Sequence, residues 1–381
     1  LNKKEDFTVT PWEVTGEVDY GKLVEKFGTQ LVSDEQLKHI EKKAGKLDFM
    51  LSRKIFFSQR DLAPWLDACE KGKKVALYTG RGPSGSTHIG HLVPWMMTKY
   101  LQDAFGCNLY FQLTDDEKFL FKEGLSLEDT HSLALENALD LIALGFDAKK
   151  TKVMIDTDCV KQMYPLALEV AKRLTYSTAK AVFGFNDQTN VGSIFFTTMQ
   201  STPAFIPSME ERKKTGKKDA SVQVLIPCAI DQDPHFRVTR DIAGKIGFPK
   251  PSLLHCKFLP SLKGSSKMSA SDASSSIYTT DSPEEAEKKV MRAFTGGRAT
   301  IEEQRKLGGN PDVCSVCNYL KFFFEPDDKK LEERLAAYRN GDILDGENKA
   351  YLAEKVKAFL KEHQRKRELA RKQLDKFLYS E

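Results

Sequence analysis

A short apolar run, a glycine-rich interruption and an amphipathic helix follow one another between Lys73 and Phe105, and no other stretch restricts the fold as much. Val75-Ala76-Leu77-Tyr78 has the length and apolarity of a buried parallel strand. The next nine residues, Thr79 to Thr87, contain three glycines and a proline and are expected to form a loop. From His88, the residues Leu92, Trp95, Met96, Lys99, Tyr100 and Phe105 recur at helical spacing, which predicts a helix starting near His88. Strand, loop and helix in this order present backbone N–H groups and the positive end of a helix to an anion such as phosphate. The first turn reads His88-Ile89-Gly90-His91. Its two imidazoles, three residues apart, share a face, and Gly90 lets a ligand approach the backbone closely.

The spacing fits neither G-x-x-x-x-G-K-[ST] nor G-x-G-x-x-G, and H-E-x-x-H is absent, so a P-loop and a zinc protease have no support here. Taken alone, the two histidines also suit an ordinary helix. Further on, a Gly/Ser-rich stretch carries Lys267-Met268-Ser269-Ala270-Ser271. The two segments, in this order, resemble the H-I-G-H and K-M-S-x-S signatures of class I aminoacyl-tRNA synthetases. The stretch between them is similar to tryptophanyl-tRNA synthetases of the eukaryotic, cytosolic type. The resemblance spans nearly the whole chain and rests on several separated motifs.

The chain's 381 residues suffice for a catalytic domain and a smaller one. Lys plus Arg number 58 against 54 Asp plus Glu, so any surface that meets nucleic acid must be local. No run approaches the ~18 apolar residues of a membrane span, and the first residues do not read as a signal peptide. The start at Leu1 leaves room for a preceding segment. Seven irregularly spaced cysteines argue against a disulfide framework and for a reducing compartment. Cys314-Ser315-Val316-Cys317 lacks a second ligand pair nearby and reads as buried structural thiols, with no metal.

Three regions are expected. Residues 1–50 form an N-terminal extension, with a hairpin at Phe7–Val14 and helices near Tyr20–Phe27 and Asp34–Lys43. From 51 to about 285, strands at Val75–Tyr78, Leu109–Leu113, Val153–Ile155, Val222–Pro227 and Leu253–Leu259 alternate with helical segments. That rhythm implies an α/β fold with a parallel sheet covered on both faces, and the resemblance makes it the Rossmann-like class I catalytic domain. Glu210–Asp219 has no apolar residue and reads as a mobile surface loop. Residues 286–381 read as helices throughout. In the family this region binds the tRNA anticodon, and the last helix packs back on the catalytic domain. That helix carries Lys361, Arg365, Lys366, Arg367, Arg371 and Lys372, interleaved with Glu362 and Glu368, so it suits a phosphate-facing surface or a solvated face equally.

The resemblance assigns roles residue by residue. His88, Gly90 and His91 would meet the ATP phosphates and nucleoside, and Lys267 with Met268, Ser269 and Ser271 would lie over the pyrophosphate. His88, His91 and Lys267 are thereby the catalytic candidates. Asp231 would meet the ribose, and Arg81 and Gly82 belong to the nucleotide loop, which is a residue shorter than in animal members. For the amino acid, Tyr78 and Gln112 would accept from the indole nitrogen. Glu117, Gln200 and Gln232 would hold the α-ammonium, Lys118 would lie near the carboxylate, and Phe236 would form a wall. Taken by itself, Thr114-Asp115-Asp116-Glu117 reads as a helix cap. The implied activity is ligation of L-tryptophan to tRNA(Trp), with ATP as substrate and Mg²⁺ carried by the phosphates. A cytoplasmic homodimer is expected, without membrane or DNA partners. A tyrosyl-tRNA synthetase and a non-catalytic synthetase-like tRNA- or partner-binding protein are the rivals. The stretch from Gln112 to Lys118 argues against the first, and intact His88, His91 and Lys267 against the second.

Overall fold

The computed structural model describes residues 7–10, 14–16, 18–267 and 273–380, with the side chains of Thr15 and residues 265–267 left aside. Among the described residues eleven strands run in chain order: β1 (Phe7–Val9), β2 (Val14–Gly16), β3 (Gln30–Leu31), β4 (Phe56–Arg60), β5 (Val75–Arg81), β6 (Asn108–Leu113), β7 (Thr151–Ile155), β8 (Gln223–Ala229), β9 (Ser252–Cys256), β10 (Pro260–Ser261) and β11 (Gly264–Lys267). Seven of them form one sheet in the order β3-β4-β9-β8-β5-β6-β7. From β9 to β7 all neighbours are parallel, whereas β3 and β4 join antiparallel at one edge. The expected parallel sheet is therefore present, with two edge strands that the alternation did not reveal. Phe56-Phe57-Ser58-Gln59-Arg60 has no apolar–polar alternation to mark it as a strand.

Side chains of the central strands alternate between two cores. Leu77, Leu109 and Phe111 join a large cluster with the signature helix (Ile89–Phe105), while Ala76, Tyr78 and Tyr110 join a second cluster on the opposite face. The same large cluster continues into Val316, Leu320, Tyr338, Leu352, Val356 and Leu360, so the C-terminal helices share a continuous core with the sheet. The terminal helix, Asp345–Arg371, lies along the Leu127–Ala143 helix. After it, Leu378 pairs in parallel with Val153 at the β7 edge.

Two local expectations are corrected. The strand at Val75 does not stop at Tyr78 but continues through Thr79, Gly80 and Arg81, which pair with Phe111, Gln112 and Leu113. Gly80 permits this, because a Cβ there would stand 2.5 Å from the Gln112 carbonyl oxygen. Residues 210–215 are not a loop but the end of a helix, Ile206–Thr215. Its basic last turn complements the helix dipole. Lys152 bonds both Glu210 oxygens at 2.8 and 2.7 Å, and the Arg212 guanidinium lies 4.3 Å over the Phe248 ring. A charged surface run can thus be anchored from below by partners distant in sequence.

Cys314 and Cys317 are buried free thiols, and the Asn348 amide donates to the Cys317 sulfur at 3.3 Å. Cys314 caps a short helix, Ser315–Tyr319. Its thiol lies below the usual range, at about 6, mainly through the hydrogen bond with Cys317, whose own thiol is raised.

Candidate active site

The strand order places β5 between β6 and β8, with the chain leaving in opposite directions on either side. A crevice opens at such a switch point beyond the C-terminal strand ends. It is a cavity of about 630 Å³, whose walls include the end of β5, the first turn of the signature helix and the turn after β8. Twelve of the residues singled out in the sequence line it: Tyr78, Arg81, Gly82, His88, Gly90, His91, Glu117, Lys118, Gln200, Asp231, Gln232 and Phe236. Val14 of the N-terminal hairpin lines it too, so the hairpin lies beside the cavity.

At the nucleotide end, the imidazoles of His88 and His91 stack with centroids 3.5 Å apart, and the His88 N–H donates to His91 Nδ1 at 3.2 Å. Arg81 is buried, and its guanidinium holds the loop from beneath. It donates to the Thr87 hydroxyl at 2.5 Å and to the carbonyls of Gly85 and Ser86 at 3.1 and 2.9 Å. Burial lowers its pKa to about 10, so it stays cationic at neutral pH. A Cβ at Gly82 would fall 2.0 Å from Lys118 Cε and 2.5 Å from Glu117 Oε2, so a larger residue there would displace the ends of both side chains. Glu117 and Lys118 are themselves paired at 2.5 Å, and the Thr114 hydroxyl donates to the other Glu117 oxygen at 2.6 Å.

The lysine-serine signature lies mostly outside the described residues. Met268, Ser269 and Ser271 are not covered, and for Lys267 only the backbone is, in β11 opposite Pro260. The segment that follows is described. Ile277 accepts from the Ile89 N–H at 3.0 Å, and the Thr279 N–H donates to the Thr87 carbonyl at 2.9 Å. The segment that follows the second signature in sequence is therefore joined to the start of the signature helix.

At the other end, the Tyr78 hydroxyl donates to Gln112 Oε1 at 2.5 Å and accepts from Gln200 Nε2 at 2.9 Å. Gln112 is fully buried behind Tyr78 rather than on the cavity wall, and its amide donates to both Asp156 oxygens at 3.0 and 2.8 Å. The Phe236 ring meets Tyr78 edge-on at 5.6 Å. Burial, then the nearby Asp116 charge, raises Asp156 well above the carboxylate range, and burial lifts Asp116 to about 7.

Three residues of this region escaped the sequence reading. Asp156, in Ile155-Asp156-Thr157-Asp158, directly follows β7 and orients Gln112 from behind. His235, beside Phe236, lines the cavity with its ring 4.7 Å from Phe183, and burial lowers its pKa to about 4. Lys257, just past β9, lines the cavity with its ammonium 5.5 Å from the Tyr20 ring centroid. For Asp156 and Lys257 a polar residue just past an apolar strand was the available signal, since such positions face the crevice in this topology.

A Rossmann-like sheet with the H-I-G-H turn at its switch point, in a chain that carries K-M-S-x-S further on, has the pattern of the class I tRNA synthetases. The family model described as tRNA synthetases class I (W and Y) matches residues 70–361, and the chain belongs to that family. Within it, similar curated proteins are tryptophan–tRNA ligases. That of Thermococcus sibiricus is 53% identical over 378 residues, covering 98% of this chain and 95% of the relative. That of Pyrobaculum calidifontis is 49% identical over 376 residues, covering 99% and 98%. Among solved structures, a product-bound parasite tRNA synthetase superposes with a TM-score of 0.89 at 38% identity, covering 95% of this chain and 96% of that one. The tryptophanyl-tRNA synthetase of Giardia lamblia gives 0.88 at 37%, with the same coverage. The type recognised in the sequence as eukaryotic thus extends to archaeal members.

Proposed function

We propose that the chain is a tryptophan–tRNA ligase, which activates L-tryptophan with ATP and transfers it to tRNA(Trp). The observation that supports this most is the convergence of His88, His91, Glu117, Lys118, Gln200 and Gln232 on one cavity beside the Tyr78–Gln112 pair. In the activation step, a tryptophan carboxylate oxygen forms a bond to the α-phosphorus while the bond from that phosphorus to pyrophosphate breaks. A hydroxyl of the tRNA's terminal ribose then takes the aminoacyl group and AMP leaves. The protein acts by positioning and charge stabilisation. His88, His91 and the N–H groups at the start of their helix meet the phosphates, Asp231 the ribose, and Lys267 with Met268, Ser269 and Ser271 the pyrophosphate. Arg81 keeps the nucleotide loop in shape, and Gly82 leaves room for the Glu117–Lys118 pair. The α-ammonium is held by Glu117, Gln200 and Gln232, and the indole N–H finds its acceptor at the Tyr78 hydroxyl, which Gln112 orients from behind. Mg²⁺ would arrive on the nucleotide. Its ligands would be phosphate oxygens.

Residues 286–381 are assigned to anticodon recognition, residues 51–285 to catalysis and residues 1–50 to covering the nucleotide. The setting is the cytoplasm, where translation occurs. A homodimer is proposed from Val160, Tyr164 and Leu168, which lie one turn apart on the Val160–Ala171 helix and are each nearly half exposed. A stripe at this spacing suits burial against a second copy. Tyr164→Glu with Leu168→Glu should yield monomer in sedimentation, and an unchanged mass would remove this face from the interface.

Amino-acid-dependent ATP–pyrophosphate exchange tests the assignment. Exchange is expected with tryptophan and not with tyrosine. Faster exchange with tyrosine would replace the reading by a tyrosyl enzyme, and none with any amino acid would restore the non-catalytic one.

A further inference from the structure

We propose that Gln364, on the terminal helix, is a positioning residue for the activation step, acting on the first turn of the signature helix through the segment Ile277–Asp281. The proposal rests on the tryptophan–tRNA ligase reading and deepens it. Gln364 Nε2 donates to the Thr279 carbonyl at 2.9 Å and to the Asp281 carbonyl at 2.7 Å. An amide nitrogen has two hydrogens, enough to serve both acceptors. The segment so held is the one that grips the signature helix. Ile277 accepts from Ile89, the Thr279 N–H and hydroxyl both donate to the Thr87 carbonyl, and the Tyr278 ring meets His88 edge-on at 6.2 Å. Its other side is closed by Lys289, which bonds Asp281 at 2.6 Å and lies 4.9 Å from the centre of the Tyr278 ring.

The neighbouring residue on the terminal helix reaches the opposite wall. His363 Nε2 lies 3.0 Å from Asp140 on the Leu127–Ala143 helix, and Asn137 of that helix donates to the Gly85 carbonyl in the nucleotide loop. One turn of the terminal helix therefore touches the supports of both flanks of His88. A small displacement of a catalytic group is enough to slow chemistry. Gln364, 276 positions away from His88 in sequence (364 − 88) and outside the cavity wall, sets where that histidine sits.

The experiment compares Gln364→Met, which keeps length without donors, with Gln364→Glu, which turns an acceptor toward two carbonyls. In the full chain, Gln364→Met should lower kcat for tryptophan-dependent exchange by about 10-fold and Gln364→Glu by more. The KM for tryptophan should stay within about two-fold, because the amino-acid end is not touched. Amide hydrogen exchange supplies the second measurement, with the Ile89 and Thr279 N–H groups losing protection in both variants. A Gln364→Met enzyme with wild-type kcat, a rise in tryptophan KM matching the fall in kcat, or unchanged protection at Ile89 and Thr279 would each overturn the proposal. Failure of the parent reading is distinct. It would be a wild-type protein without tryptophan-dependent exchange, in which the protection measurement still decides whether Gln364 holds the segment.

Discussion

Gln112 cannot accept from a ligand without also answering to Tyr78 and Asp156, because its carbonyl accepts from Tyr78 and its amide nitrogen donates to the Asp156 carboxylate in the folded chain. Gln112→Leu removes that amide and leaves the Tyr78 hydroxyl and the Asp156 carboxyl without it. Tryptophan activation should fall by about 1–3 kcal/mol in kcat/KM. Phenylalanine, which never makes the indole bond, should lose less, so exchange kinetics with both amino acids should show a narrower ratio. An unchanged ratio would make Gln112 a structural residue only. His235 makes a second residue-level prediction. Its folded pKa of about 4 lies below the ordinary 6.5, because burial disfavours the imidazolium. The unfolded chain therefore binds the proton more tightly. The stabilisation is complete above about pH 6.5 and is lost as pH falls toward 4, by about 3 kcal/mol at most. Urea unfolding of His235→Gln across that range should lack this part of the acid destabilisation, and parallel pH curves for the two proteins would refute it.

Between elements, buried ion pairs rather than apolar contacts alone determine how the edge of the sheet is finished. Arg60, at the end of β4, bonds Asp233 at 2.6 and 2.8 Å and the Gly28 carbonyl at 2.9 Å, which ties the Tyr20–Phe27 helix to the Asp233–Ala243 helix. Asp233 is lowered to about 2, since Arg60 and His255 outweigh the burial that would raise it. Arg60→Met leaves this carboxylate buried with one partner fewer and should cost about 3–5 kcal/mol. A shifted denaturant midpoint at constant slope would show it, and a loss under about 1 kcal/mol would contradict the argument. The terminal helix behaves similarly. Arg367 bonds Asp140 at 3.0 Å and Glu136 at 2.9 Å, and Arg371 bonds Glu136 at 2.7 Å. Those two arginines face the catalytic side. Arg365 pairs along its own helix with Glu362 at 2.8 Å. The basic series therefore divides between a docking face and a solvated one, a division that charge order along the sequence does not reveal.

For the molecule as a whole, a formal net charge of +4 predicts no general attraction to nucleic acid, so tRNA binding must rest on local basic surface. Charging of tRNA should weaken with salt in proportion to the phosphates neutralised. Charge reversal at exposed lysines and arginines within 286–381 should impair charging while adenylate formation persists; equal effects on both, or on neither, would place the anticodon surface elsewhere. By itself the sequence determined what local rules decide. The apolar runs of β5 to β9 and the caps and periodicity of the long helices are set by neighbours a few residues apart. The His88–His91 turn is local too, as its two rings need only helical spacing to stack. Tertiary structure alone decided what depends on distant partners. The strand at Val75 runs on to Arg81 because β6 offers Gln112 and Leu113 as partners, and the charged end of the Ile206–Thr215 helix is anchored because Lys152 and Phe248 lie beneath it. Gln112 faces inward because Asp156 is behind it, and Gln364 reaches the Ile277–Asp281 segment only once the terminal helix has docked. Pattern in a sequence reports which face of an element is apolar; which polar groups meet across the core depends on the packing of elements, and that is written in no single stretch of the chain.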